Sequence, residues 1–162
     1  MRWREKPPSL PVGPGERLLA WATTTDDAVV GGTRDALYLG DVERIPWEGI
    51  EAADWDNETS VLVVSEVGSW GKARPEHHLT ISEPGRLLEL VRERVTASVV
   101  LQRHVAIEGQ RGVRVIARRA PGAASVISWV YEYDEGIDPE DHVVRLAAAQ
   151  ALAGARVDLG LT

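Results

Sequence analysis

The sequence contains no cysteine and no phenylalanine, and only two of its 18 basic side chains are lysines. The absence of cysteine excludes disulfides, thiolate metal sites and cysteine nucleophiles. The longest unbroken apolar runs are only a few residues, and the first 15 residues lack the apolar segment of a signal peptide. We therefore predict no membrane span and no secretory signal, and we expect a cytoplasmic protein.

The motifs that carry common chemistries are also missing. The sequence has no phosphate-binding glycine loop, no dinucleotide fingerprint and no nucleophile elbow. The acidic run 132–141 lacks the spacing of a calcium-binding EF-hand loop and is interpreted as a turn before a helix. The four histidines have no chelating spacing, and His77 and His78 point to opposite faces of a strand. We therefore predict no metal, no cofactor and no enzymatic activity.

The composition that remains is typical of a folded bacterial protein. Of the 162 residues, 44% are hydrophobic and 27% charged, as in globular domains. The excess of arginine over lysine, with many alanines, valines and glycines, indicates a GC-rich bacterial genome. The net charge of −7 disfavours nucleic-acid or anionic-membrane binding, although residues 86–119 carry 8 basic and only 3 acidic side chains.

The order of hydrophobic patterns predicts an α+β fold. Residues 1–15, rich in proline, are expected to form a flexible arm. Short strands with turns every 8–12 residues follow from residue 16, and a helix spans Pro84–Ala97 behind the N-cap Ser82. Its apolar stripe is formed by Leu87, Leu88, Val91 and Val95.

The last 60 residues predict a β-β-β-α extension. The strands are expected at Val99–Ile107, Val113–Ala117 and Val126–Tyr133, and a helix is expected to start at Asp138 with Pro139 in its first turn. The predicted packing face of this helix consists of Val143, Val144, Ala147, Ala151, Leu152 and Ala155. The pattern leaves open whether these strands continue the first sheet or form their own.

Residues 16–100 resemble a bacterial pleckstrin-homology-like (GRAM/PH-type) barrel. The similarity rests on the stretch from Val30 to Leu39 (V-G-G-T-R-D-A-L-Y-L) and on the stretch from Arg44 to Ile50 (R-I-P-W-E-G-I). The chain also resembles members of an uncharacterised actinobacterial protein family. The resemblance implies a PH-like antiparallel β-barrel capped by a helix, with residues 101–162 packed on it, and a fold that binds lipid headgroups, peptides or proteins. Because the first hairpin, residues 23–27, is neutral to acidic, we predict that phosphoinositides do not bind at the usual site.

A glycine-flanked tryptophan with two nearby cations is the first candidate surface. Trp70, Lys72 and Arg74 lie in one predicted loop and belong to residue types that are enriched at binding hot spots. This loop either binds a partner or places Trp70 over an open end of the barrel.

The second candidate surface is an arginine-rich strand face. Arg114 and Arg118 have the same parity on one strand, and Arg103 and Arg119 are near in sequence. They could bind an anion or a nucleic acid, with Trp129, Tyr131 and Tyr133 as stacking platforms. The alternative is that these arginines pair with Glu132 or the acidic run, and that the aromatic side chains belong to the core.

These observations together favour a non-enzymatic interaction module that binds a protein or a second copy of itself. Self-association is expected because a three-stranded extension leaves strand edges to be covered. Nucleic-acid or anion binding through the arginines, and an enzyme of unrecognised class, are the alternatives.

Overall fold

The computed structural model describes residues 8–40, 43–68, 74–121 and 126–161. The chain divides into two compact units, Met1–Ser98 and Val99–Thr162. The described residues form a mixed α+β protein with three antiparallel sheets and two α-helices. The boundary lies after Ser98, whereas we predicted it two residues later.

The first unit contains two sheets, a 3₁₀ turn and a helix. The four-stranded sheet has the order β1-β2-β3-β4, with the bounds Ala20–Thr23, Val29–Gly32, Ala36–Leu39 and Glu43–Pro46. The 3₁₀ turn Trp47–Gly49 leads to the three-stranded sheet β5-β6-β7, with the bounds Ile50–Asp56, Val61–Glu66 and Glu76–Thr80. Among the described residues no sheet closes into a barrel.

Trp47 lies in the core of this unit. Its side chain is fully buried, and its indole Nε1–H donates to the Thr33 carbonyl oxygen at 2.9 Å. A buried indole with a satisfied N–H adds apolar area without leaving an unpaired polar group. The same cluster includes Leu37, Ile50 and Val91, so residues of both sheets and of the helix share one core.

The helix α1, Leu87–Ser98, begins three residues later than predicted. Gly85 has a φ of +53°, which an α-helix cannot accommodate, so the preceding residues form a turn. The predicted stripe is confirmed, since Leu87 and Val91 are buried and Leu88 and Val95 pack against the core.

The second unit has the predicted β-β-β-α order. Strands β8, β9 and β10 span Val99–Glu108, Arg111–Arg119 and Ile127–Tyr133, and helix α2 spans His142–Asp158. The strands form their own antiparallel sheet in the order β10-β9-β8. Gly112 allows close contact in this sheet, because a Cβ there would lie 1.8 Å from the Val105 carbonyl oxygen.

The predicted start of α2 at Asp138 is wrong, and so is part of its predicted packing face. The carboxylate of Asp141 accepts a hydrogen bond from the Val143 N–H at 2.9 Å, so Asp141 is the N-cap. Residues 138–141 form a turn instead, closed by a bond from the Asp141 N–H to the Asp138 carbonyl. Val143 is 62% exposed, and the buried residues of the helix are Val144, Ala148, Ala151 and Ala155.

None of the helices in the described ranges is long and apolar enough to cross a membrane.

Candidate functional site

Of the three candidate side chains in the predicted tryptophan loop, only Arg74 is described. Trp70 and Lys72 lie outside the described residues. The Arg74 guanidinium forms an ion pair with Glu51, and about half of the Arg74 side chain is exposed. The partner-binding role of this loop stays a prediction.

The strand register divides the four candidate arginines between two faces of one sheet. Arg103 is paired with Val115, whose side chain packs against Ala151 and Ala155 of α2, so Arg103 lies on the helix-covered face. Arg119, at the end of β9, has the same parity as Val115. Arg114 and Arg118 project from the opposite face, as predicted from their parity. The four therefore do not form one surface.

Two of these arginines already have acidic partners. Arg103 forms an ion pair with Asp158 of α2, and Arg114 Nη1 lies 3.8 Å from Glu132 Oε1 across the β9–β10 pair. The second pairing is the cross-strand arrangement that the alternative interpretation predicted. Arg118 is only 3% exposed, whereas Arg119 is exposed at the strand end. An incoming anion would compete with carboxylates at two of these positions.

The aromatic side chains lie on the helix-covered face. Trp129 packs against the core cluster of the second unit, and Tyr131 is opposite Val115 in the register. Tyr131 and Tyr133 contact each other, with ring centroids 6.1 Å apart and planes tilted by 49°. The sheet thus separates these rings from Arg114 and Arg118, and a joint stacking and phosphate-binding surface is not formed by those groups.

The first hairpin borders a cavity of about 200 Å³. Its lining includes Thr24, Asp26, His78 and Thr80. The Thr24 hydroxyl donates to the Asp26 carboxylate and contacts the Ala28 backbone, so the polar groups of the turn satisfy one another. No described residue that lines the cavity is lysine or arginine.

The structure brings together three side chains that sequence spacing did not connect. His77 Nε2 lies 2.8 Å from Glu66 Oε2, and His77 Nδ1 lies 3.7 Å from Glu43 Oε2. Within the described ranges these are the residues that could share a metal ion, with ligand atoms within 4.8 Å of one another. The His77–Glu66 contact is a hydrogen bond between the neighbouring strands β7 and β6, and Glu43 of β4 faces the other ring nitrogen.

His104 takes part in a second polar cluster, in the other unit. Its Nε2 lies 2.7 Å from Asp134 Oδ2, which also accepts the Gly112 N–H at 2.8 Å. These two contacts, of which the bond from the Gly112 N–H has the larger effect, hold the pKa of Asp134 below its usual range. The cluster ties the end of β10 to β8 and β9.

The outer side of α2 carries a row of exposed side chains that sequence analysis did not single out. We call Val143, Leu146, Gln150, Ala153 and Val157 the outer row. Val143, Leu146 and Val157 are 62%, 53% and 65% exposed, and Gln150 and Ala153 are exposed as well. At 100° per residue, the row lies nearly opposite the buried residues of the helix. Its spacing of three and four residues was the signal in the sequence, but Val143 had been assigned to the packing face.

In the described part of this two-unit α+β protein, three of the six exposed large hydrophobic side chains lie on this helix face. Comparisons with protein-family models, with curated proteins and with solved structures found no match to the chain.

Proposed function

We propose that this chain is a non-enzymatic protein-interaction module and that it binds another helix through the outer row of α2. The observation that carries the proposal is the exposure of Val143, Leu146 and Val157 on one helix face. Single exposed apolar residues are ordinary, whereas several on one face of a helix support a contact surface. Helical recognition of this kind uses apolar anchors spaced three, four and seven residues apart.

We also propose that the first unit has a PH-like arrangement. Support comes from its order of a four-stranded sheet, a three-stranded sheet and a following helix, α1, whose side chains enter the same core. In this view the first unit supplies a stable scaffold, and the second unit supplies the docking helix.

A photo-crosslinking experiment tests the proposed function. Leu146 is replaced by p-benzoylphenylalanine in the full chain, which is irradiated in its native cells; Val126, 80% exposed and outside α2, is replaced in a matched control. We expect protein adducts from position 146 at several times the yield from position 126. Equal yields from the two positions, or no adduct at all, would contradict the proposal.

Anion or nucleic-acid binding is less well supported as an alternative. Arg103 and Arg114 contact carboxylates, and Arg118 is buried. A gel shift of single-stranded DNA and RNA over a salt series separates the two functions, since binding through arginines weakens steeply as salt rises.

A further inference from the structure

The outer row has the spacing of a helix-pairing seam. Its successive members are three, four, three and four residues apart, which is the a/d pattern of a heptad repeat. A seam of this kind is normally buried against a second helix. Here its apolar members remain exposed within the described chain.

We infer that the outer row pairs with the outer row of a second copy of this chain, in antiparallel orientation, with the two-fold axis at Gln150. This inference rests on the proposed function and names the partner. The ends of the row are symmetric about Gln150, because Val143 precedes it by seven residues and Val157 follows it by seven, while Leu146 lies four before it and Ala153 three after it. A two-fold rotation there places each valine against the other valine of the second copy, as a self-complementary interface requires.

The residue sizes fit the same orientation. The rotation about Gln150 places Leu146, the largest apolar side chain of the row, beside Ala153 of the second copy. The small alanine side chain leaves space for the leucine and allows the helix axes to approach closely. The two Gln150 amides meet at the axis, where each can donate and accept a hydrogen bond. A polar pair within an apolar seam favours a single register.

Charge complementarity selects the antiparallel arrangement over the parallel one. The exposed start of α2 is acidic on balance, since Asp138, Glu140 and Asp141 outnumber Arg145, which pairs with Glu140. Its last turn carries Arg156 together with Asp158, and Asp158 is paired with Arg103. Antiparallel pairing brings Arg156 of each copy towards the acidic start of the other. Parallel pairing would instead place the two acidic starts side by side, which is repulsive. The helix dipoles also oppose each other favourably in the antiparallel pair.

The expected dimer is weak. A 17-residue helix is about 25 Å long and offers one seam with three large apolar side chains. Such a contact falls at or below the low end of specific interfaces, roughly 1,200 Å² in total. We therefore expect dissociation in the micromolar range, visible as concentration-dependent mass in light scattering.

Disulfide crosslinking tests the orientation, and the chain is suited to it because it has no native cysteine. V143C and V157C chains, one of them carrying a size tag, are oxidised alone and as a mixture. We expect mixed V143C–V157C dimers at least tenfold above either homodimer. Homodimers in the separate samples would indicate a parallel pair and overturn the inference, as would no crosslinking above a V126C control.

A charge in the seam tests its contribution to affinity. L146E should raise the dissociation constant at least tenfold. Because both copies carry the substitution, dimerisation would bury two new carboxylates in an apolar contact. V126E adds the same charge at an exposed site outside α2 and should leave dimerisation unchanged. Circular dichroism checks that both variants remain folded. Equal dimerisation of L146E and the unsubstituted chain would overturn the inference.

These results separate the inference from the proposed function. A strict monomer that still gives adducts with another protein from position 146 overturns the self-pairing and leaves the interaction module standing. A monomer without such adducts contradicts both the self-pairing and the proposed interaction module.

Discussion

Glu16 is the acidic residue that most clearly joins the N-terminal segment to the first sheet. Its carboxylate, 5% exposed, accepts hydrogen bonds from the Thr33 and Tyr38 hydroxyls, each at 2.6 Å, and lies 3.3 Å from Arg44 Nε. Tyr38 in turn accepts the Gly13 N–H at 2.8 Å. Gly13, which the sequence assigned to a flexible arm, is thus hydrogen-bonded to the first sheet.

Replacing this carboxylate should destabilise the first unit. E16A leaves the buried Thr33 hydroxyl without its shortest partner and removes the acceptor of Tyr38, at a cost of about 1–3 kcal/mol. Urea unfolding followed by tryptophan fluorescence measures the loss. E58A, which removes an exposed carboxylate in the β5–β6 turn, is the control and should change stability little. Equal stability of both variants would show that the network adds nothing.

The surroundings of Glu16 also predict that the stability of the first unit depends on pH. Burial acts to raise the pKa of Glu16, but the hydrogen bonds from Thr33 and Tyr38 and the Arg44 charge outweigh it and hold this pKa below its usual value. The contribution of Glu16 is therefore present above about pH 4.3, the ordinary pKa of a glutamate, and is lost as the pH falls through the lower folded value. The stability difference between the unsubstituted chain and E16A should shrink over that acidic range.

At the scale of elements, the face of α1 was predicted correctly, whereas the first residue of both helices and part of the face of α2 were not. The stripe of α1 follows from its 3.6-residue period, which depends on local sequence alone. The end positions depend on single backbone conformations, such as the positive φ of Gly85 and the Asp141 cap. The face of α2 was the harder case, because alanine is compatible with either a core or a surface position.

The Asp141 cap can be tested by substitution. D141A removes the acceptor for the Val143 N–H and should destabilise the second unit by about 1 kcal/mol, whereas D141S retains a capping oxygen and should restore most of it. Thermal unfolding monitored at 222 nm compares the two. If D141S unfolds at the same temperature as D141A, the cap does not contribute.

At the scale of the whole molecule, the charge balance predicts that the chain does not bind anionic lipid surfaces. The net charge is −7, and the hairpin that a lipid-binding barrel would line with basic residues carries Asp26 and Asp27 instead. Vesicles of phosphatidylcholine with 5% phosphatidylinositol bisphosphate should therefore sediment no more of the protein than phosphatidylcholine alone. Salt-sensitive co-sedimentation with the anionic vesicles would contradict this prediction.

The sequence by itself determined the α+β class, the succession of strands and helices along the chain and the β-β-β-α character of the second unit. Periodicity and turn residues decide these features locally. Only the tertiary structure decided that the extension has its own sheet, that Arg103 and Arg118 lie on opposite faces, and that His77 meets Glu66 and Glu43. The reason is physical: strand register and contacts between residues far apart in sequence arise from packing of the whole chain, which no local pattern encodes.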